Sequence, residues 1–463
     1  MSSQVVSIDP MLCTGCRRCA DVCPVDAIVG HPNEPQTIDT SRCVLCGQCV
    51  LTCAAFLSPF DEGAERMPEI RRERGLAEDD PAPLFAANFR IDRKKVAAML
   101  ADPERTTMVQ CAPAVRVSIA EEFGKAPGTL TPGKLAASLR RLGFDYVYDT
   151  IFAADVTVME ESTELLQRIE TGGTLPMFTS CCPGWVRHVE TAWPDLIHHL
   201  SSCKSPQQMA GALFKSYGAE QAGKTAGEIA SVAVMPCTAK KGEAERPEMQ
   251  NGGHADVDAV LTVTELAAML KEKGIDLDSL PEEEFDAPLG LYSGAGTIFG
   301  ASGGVMEAAL RTAIATTSGK EVDESGVAFV RSEEEPGVLR ASVEIGGKTV
   351  RGVIVSGLAH VAPVLEAVRS GKADFEFMEV MCCEGGCVAG GGQPKLLPGV
   401  DVADAVSRRR KALHDHDREL PVRAAHRNPA VKALYENFLQ KPLGELSHKL
   451  LHTRYGKEAG RHE

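Results

Sequence analysis

One cysteine spacing occurs twice near the start of this chain, and nothing else in the sequence constrains the fold so tightly. Residues 13–24 read CTGCRRCADVCP and residues 43–53 read CVLCGQCVLTC, each a C-x2-C-x2-C-x3-C run. Eight thiols crowded into so short a segment need partners around which the backbone can fold. The whole chain holds sixteen cysteines in 463 residues. In a reducing compartment so many thiols ask for metal rather than disulfides. The N-terminus, MSSQVVSIDPMLC, has neither a basic region followed by an apolar one nor a twin arginine, so a cytoplasmic location is expected. No run approaches the about 18 consecutive apolar residues of a spanning helix. A net charge of -15 argues against nucleic acid and anionic membrane as partners. Apolar residues at 44% and charged residues at 24% are globular values, and the length allows roughly three average domains.

The repeated spacing resembles the bacterial two-[4Fe-4S] ferredoxin pattern, in which the fourth cysteine of each run serves the other cluster. Cys13, Cys16, Cys19 and Cys53 are expected to hold one cubane, and Cys43, Cys46, Cys49 and Cys23 the second. Two-residue gaps curl the backbone around a cubane and aim amide N–H groups at its sulfurs. Paired zinc knuckles also use C-x2-C, but two matching four-cysteine runs fit cubanes better. Cys53 is followed by Ala54 rather than the proline that follows Cys23; proline is not a ligand, so the assignment stands. Residues 1–56 are therefore expected to form an α+β ferredoxin-like domain. Residues 57–92, rich in charge and proline, read as a solvated connecting segment, and 93–463 as a large body.

In that body, helical periods alternate with short apolar runs: TMVQCAPAVRV, IASVAVMPC, AVLTVTEL, TVRGVIVSGL and FEFMEVMCC. The alternation predicts an α/β fold with mostly parallel strands. Neither GAGTIFG nor GGGQP has the spacing of a nucleotide-binding loop. Three cysteine settings end strand-like runs and enter turns: TSCCPGW at 179–185, MPCTAKK at 235–241 and EVMCCEGGCVAGGGQP at 379–394. Ligands from separate strand ends can converge on one site, and four thiolates suit one further [4Fe-4S] cube. The pattern alone leaves the chemistry of that site open.

At these three motifs the sequence resembles the [FeFe]-hydrogenases. The resemblance extends through CAPAVRVSIAEEFG, SGAGTIFGASGGVMEAALR and the tail NPAVKALYENFLQKPLGELSHKLLHTRYGK, covering nearly everything from about residue 93, with a small-subunit-like tail from about 420 to 463. It implies a large α/β catalytic domain behind the ferredoxin-like one. The implied active site is an H-cluster: a [4Fe-4S] cube joined through one cysteine sulfur to a two-iron centre carrying CO, cyanide and azadithiolate. By position, Cys182, Cys237, Cys383 and Cys387 would hold the cube, with Cys387 bridging. Ala112, Pro113, Pro206, Gln207, Met235, Phe299, Gly300 and Met381 would line the rest of the pocket, keeping water and oxygen scarce, as suits an anaerobic enzyme. Lys240 would pair with a cyanide through a charge-assisted bond.

The resemblance also implies a proton path. Cys181 matches the family's proton-transfer cysteine, followed by Glu161, Ser201 and Glu164, with Arg168 near the exit. Glu161 and Glu164 lie three apart in VMEESTELL and so share a helix face. Cys111, Cys203 and Cys382 read as small buried fillers. The implied reaction is 2 H+ + 2 e- = H2, with the cubanes as a wire to soluble ferredoxin or flavodoxin. Maturation proteins would build the two-iron centre. A complex with an NADH-oxidising subunit is a second reading of the partner. Two other classes stand beside the enzyme: a sensor or iron–sulfur assembly relative, which would lack Cys181, Lys240 or the third motif, and a bare electron-transfer protein whose third cluster is an ordinary cubane.

Overall fold

Two sheets organise the body in the computed structural model, which describes residues 5–76, 78, 82–319, 327–331, 335–396 and 399–456. The first sheet is fully parallel, in the order Ala259–Thr262, Ile229–Met235, Thr106–Cys111 and Tyr146–Asp149. Ile229–Met235 is buried along its whole length, as its nearly continuous apolar reading, broken by Ser231 alone, requires of a strand covered on both faces. The second sheet runs Val330–Arg331, Val338–Ile345, Lys348–Ser356, Phe377–Met381 and Met177–Phe178. Its last three strands are parallel to one another and its first two pairings are antiparallel.

All five apolar runs singled out in the sequence contain strands, and the class is α/β as expected. The antiparallel arm is the exception to mostly parallel pairing. It is a hairpin whose two-residue turn, Gly346–Gly347, takes φ 58° and 78°, the left-handed region that a tight hairpin turn needs.

A long helix, Thr150–Thr171, packs against helices Pro206–Leu213 and Gly304–Ser318. Asp149 caps it, accepting a hydrogen bond from the Ile151 N–H at 2.9 Å. Glu160, Glu161 and Glu164 of this helix are all buried, so its acidic side does not face solvent. The carboxylates need a polar interior to face.

The ferredoxin-like unit is held by short strands and by the segment expected to be a linker. Val6–Ile8 pairs with Ala87–Phe89, and Phe56–Leu57 with Leu84–Phe85. Between them a helix, Met67–Glu73, buries Met67 and Ile70, three apart on one face. Arg74 bridges to Asp9 at 2.7 Å. Residues 57–92 thus fold back onto the N-terminal unit rather than run as a solvated connection, because their few apolar residues have somewhere to be buried. Residues 77 and 79–81 of that segment lie outside the described residues, as do 457–463 of the tail. The tail wraps the body through helices Val402–Glu419 and Glu445–Leu451, and Asn428 donates to the buried Asp155 at 2.8 Å.

Candidate active site

Six cysteines of the body sit where parallel strands end, the position at which open α/β sheets place their ligands. Met177–Phe178 leads to Cys181 and Cys182, Ile229–Met235 to Cys237, and Phe377–Met381 to Cys382, Cys383 and Cys387. In TSCCPGW, Pro183 opens the helix Pro183–Ala192, where a missing N–H costs nothing. Trp185 is fully buried and donates its indole N–H to the Thr179 carbonyl at 3.1 Å, pinning the turn.

These strand ends bound one cavity with about 830 Å³ of empty space. Its wall includes Cys181, Cys182, Cys237, Lys240, Cys383 and Cys387, with Ala112, Pro113, Pro206, Gln207, Met235, Phe299, Gly300 and Met381. Every residue expected in the pocket is therefore brought to it. Cys181 and Cys182 owe their partial exposure to this hollow, since they are otherwise enclosed by protein.

Burial pushes the Cys237 thiol well up, and Cys383, Cys182 and Cys387 add like-charge repulsion. The Cys387 thiol is pushed up to about 12 by burial, with Cys182 and Cys383 contributing. Burial also raises the Cys182 thiol, so the neighbourhood disfavours thiolates at Cys182, Cys237 and Cys387, and a bound cation would relieve it.

Lys240 is nearly buried. Its ammonium donates to the Cys181 carbonyl at 3.1 Å and to Glu243 Oε2 at 3.0 Å. Burial works against that charge, and Glu243 more than compensates, so its pKa is raised. A third contact, to Glu243 Oε1 at 3.2 Å, completes its donors, and because Lys240 lines the cavity it presents a positive charge to a ligand there. Glu243 is itself held by the Ser205 hydroxyl at 2.9 Å and the Gln207 amide at 3.0 Å.

Behind Cys181, away from the cavity, lies a line of polar groups. Burial pushes Glu161 up to about 8, with Glu164 and Glu379 adding repulsion. Neither Glu161 oxygen has a well-formed hydrogen bond, although the Ser180 backbone and the Ser201 hydroxyl lie close enough to offset part of the burial. The Ser201 hydroxyl donates to Glu164 Oε2 at 2.8 Å. Arg168 bridges Glu164 Oε1 at 2.6 Å and also donates to the carbonyls of His199 and Leu200. Glu161, Ser201, Glu164 and Arg168 are not on the cavity wall; they lead from it toward the half-buried Arg168.

The ferredoxin-like unit reaches the same cavity, because Cys46 lines it. The Gln48 side-chain amide donates to Cys383 Sγ at 3.3 Å and to the Ala389 carbonyl at 2.8 Å. The Thr238 hydroxyl donates to the Leu45 carbonyl at 2.6 Å. A Cβ on Gly391 would lie 2.3 Å from the Cys46 carbonyl oxygen, so glycine there permits the two backbones to meet. Of the glycine run of GGGQP, Gly391 serves this seam, while Gly390 and Gly392 allow close approach to Pro236 and Thr262 within the body.

Sequence reasoning missed Cys46 as a cavity residue, together with Glu243, Glu379 and the hydrogen-bonded trio of buried Glu160 and His452 with half-buried Ser202. His452 meets Ser202 Oγ at 2.8 Å and Glu160 at 3.1 Å. Only Glu243 carried a readable signal, its i,i+3 spacing from Lys240.

Comparison with known proteins agrees with this geometry. Residues 105–391 match the family model for the iron only hydrogenase large subunit, C-terminal domain. Residues 403–458 match the iron hydrogenase small subunit, beginning before the 420 expected, and residues 6–29 match a 4Fe-4S binding domain. The chain belongs to the iron-only, or [FeFe]-, hydrogenases. The NADP-reducing hydrogenase subunit HndD of Solidesulfovibrio fructosivorans is 41% identical, over 96% of this chain and 73% of its own length. Iron hydrogenase 1 of Clostridium pasteurianum is 39% identical, over 93% and 77%. The solved apo structure of a variant of the [FeFe]-hydrogenase HydA1 from Chlamydomonas reinhardtii superposes with a TM-score of 0.72 at 39% identity, over 80% of this chain and 99% of that one. A more distant relative, cytosolic iron-sulfur assembly component 3 of Bos taurus, is 31% identical over 76% of this chain and 75% of its own length.

As an [FeFe]-hydrogenase, the chain is an oxidoreductase that interconverts H2 with protons and electrons at an H-cluster. The residues present fit that group. A neighbourhood of four thiols, a positively charged lysine and an apolar wall surround one cavity. Among the described residues no helix is long and apolar enough to cross a membrane.

Proposed function

We propose that Cys182, Cys237, Cys383 and Cys387 hold the cube of the H-cluster, and that Cys181, Glu161, Ser201, Glu164 and Arg168 carry protons between it and solvent. One observation carries the reading: Cys181 faces the cavity and has Glu161 close behind it, with Ser201, Glu164 and Arg168 continuing outward. When bound, the cluster supplies the iron at which the H–H bond is made or broken and an amine that exchanges the proton.

The chain's own residues do the rest. Cys181 holds a proton at its sulfur, a group suited to relay because burial keeps the thiol protonated. Glu161, lifted to about 8, takes that proton on a carboxyl poised near neutral pH. The Ser201 hydroxyl passes it to Glu164, and Arg168 holds Glu164 at the outer end. Lys240 anchors an anionic ligand of the two-iron centre, while Phe299, Met235 and Met381 exclude water.

Electrons enter through the ferredoxin-like unit. We infer one cubane on Cys13, Cys16, Cys19 and Cys53 and another on Cys23, Cys43, Cys46 and Cys49. The neighbouring sulfurs of Cys19 and Cys49 link the two, and Cys46 reaches the H-cluster cavity. Residues 1–56 with 57–92 form the electron-entry unit, 93–463 the catalytic body, and the partner is a soluble ferredoxin or flavodoxin of an anaerobic cytoplasm. A multisubunit partner is favoured by one fact, the name of the HndD relative as a subunit of an NADP-reducing hydrogenase. Copurification with a nucleotide-binding subunit would select it.

The test is Cys181→Ala in the matured enzyme. H2 turnover is expected to fall by at least about 10²-fold, while the infrared bands of CO and cyanide survive. Retained turnover removes Cys181 from the path. Absence of those bands from the wild-type protein removes the H-cluster itself.

A further inference from the structure

Cys382 was expected to be a filler, and it is buried, 5% exposed, in the core that also holds Val44 and Trp185. A filler needs only to occupy volume. Cys382 also lines the active-site cavity beside Cys46 and Cys383, which belong to different clusters in the reading above. Cys46 and Cys182 pack against the same core as Cys382, and the Cys382 side chain lies within hydrogen-bonding reach of the sulfurs of both Cys46 and Cys383. Two ligand sulfurs, one from each cluster, thus meet at one residue.

The surroundings are built to hold that thiol in place. The Leu358 N–H binds the Cys382 carbonyl at 3.2 Å, and the Gly357 N–H binds the Met381 carbonyl at 2.8 Å. A Cβ on Gly184 would stand 3.1 Å from Cys382 Sγ, so the side chain fills space that glycine leaves open. On the other side of the seam, Gln48 reaches Cys383 from the ferredoxin-like unit.

The direction of donation follows from chemistry. Metal-bound Cys46 and Cys383 are thiolates and can only accept. Among the three sulfurs, only Cys382 has a proton to give. We propose that Cys382 is a positioning residue between the second ferredoxin-like cluster and the H-cluster cube, its S–H hydrogen bond to Cys46 and Cys383 raising the potential of the cluster that receives it. Hydrogen bonds to cluster sulfurs set cluster potentials. Donation withdraws electron density from the thiolate and favours the reduced cluster. The bridge would also give the electron a path of three sulfurs across the seam.

This inference rests on the proposed ligand sets, so the experiment reads the two separately. The full chain would be produced without the two-iron centre. Its iron content and cluster signals, followed by electron paramagnetic resonance, first test whether three cubanes are present; fewer would overturn the ligand sets. Redox titration of the same signals then compares wild type with Cys382→Ala and Cys382→Ser. The alanine variant is expected to lower the potential of a cluster flanking Cys382. The serine variant, which keeps a donor, is expected to restore it, and the cluster on Cys13, Cys16, Cys19 and Cys53 should not move. Unchanged potentials in Cys382→Ala, or Cys382→Ser behaving as alanine, would overturn the role of the thiol. If Cys382→Ala does not retain its iron, Cys382→Ser carries the test alone, and a departure from the wild-type potentials would overturn it.

Discussion

Glu161 shows what burial does to a single residue. With both oxygens lacking well-formed partners, desolvation dominates and lifts its pKa from 4.5 to about 8. Such a group binds its proton more tightly in the folded than in the unfolded chain. Its stabilising contribution is therefore complete below about pH 4.5 and is lost as pH rises toward about 8. Glu379, lifted to about 7, acts in the same direction but is partly satisfied by the backbone of Gly303 and Met306. Glu161→Gln should therefore flatten part of the fall in stability across that window, measured by urea unfolding at several pH values. It should also cut H2 turnover by about 10²-fold or more, since an amide cannot relay a proton as a carboxyl can. The sequence placed Glu161 and Glu164 on one helix face, which an ordinary surface helix also does. Only burial, with Ser201 arriving from a distant loop, separates a relay from a solvated face.

Strand ends and the turns that follow them place thiols, and glycine permits two backbones to touch. At Gly391 the neighbours of an added Cβ would be backbone atoms of Cys46 and Gly47, which cannot rotate away. Gly391→Ala is expected to cost about 1–3 kcal/mol as overpacking, seen as a lower denaturation midpoint, and to loosen the seam enough to lower iron occupancy of the adjacent cluster. Wild-type values for both would show that the seam yields. The strands themselves were legible, because buried parallel strands read as continuous apolar runs. The fold-back of 57–92 was not, since Met67, Ile70 and Leu84 are too few and too spaced among charges to stand out.

At the scale of the molecule, the tail and the ferredoxin-like unit are held by different means. The tail is tied by buried polar bonds. Asn428 donates to Asp155, which burial lifts to about 6, and Tyr435 donates to Glu160 at 2.7 Å. Asn428→Ala leaves Asp155 short of a donor and is expected to cost about 1–3 kcal/mol, read as a shift in the unfolding midpoint. The ferredoxin-like unit has strands of two or three residues and small apolar clusters. So small a core depends on its iron, because binding energy there is folding energy. Chelating the iron should therefore remove hydrogen-exchange protection from residues 5–57 first, while the strand Ile229–Met235 keeps it. Equal loss in both would show that the body depends on iron as strongly.

The sequence by itself determined the ferredoxin-like cysteine spacing, the α/β class and the motifs that carry the family resemblance. These are local patterns, and a spacing or a period survives in one dimension. The tertiary structure alone decided which thiols meet, that Cys46 shares the active-site cavity, that Glu243 holds Lys240, and that Cys382 stands between two ligand sulfurs. Apart from Glu243, three residues from Lys240, these meetings bring together segments far apart in the chain across the gap between strand ends, and no local pattern records the closure of that gap.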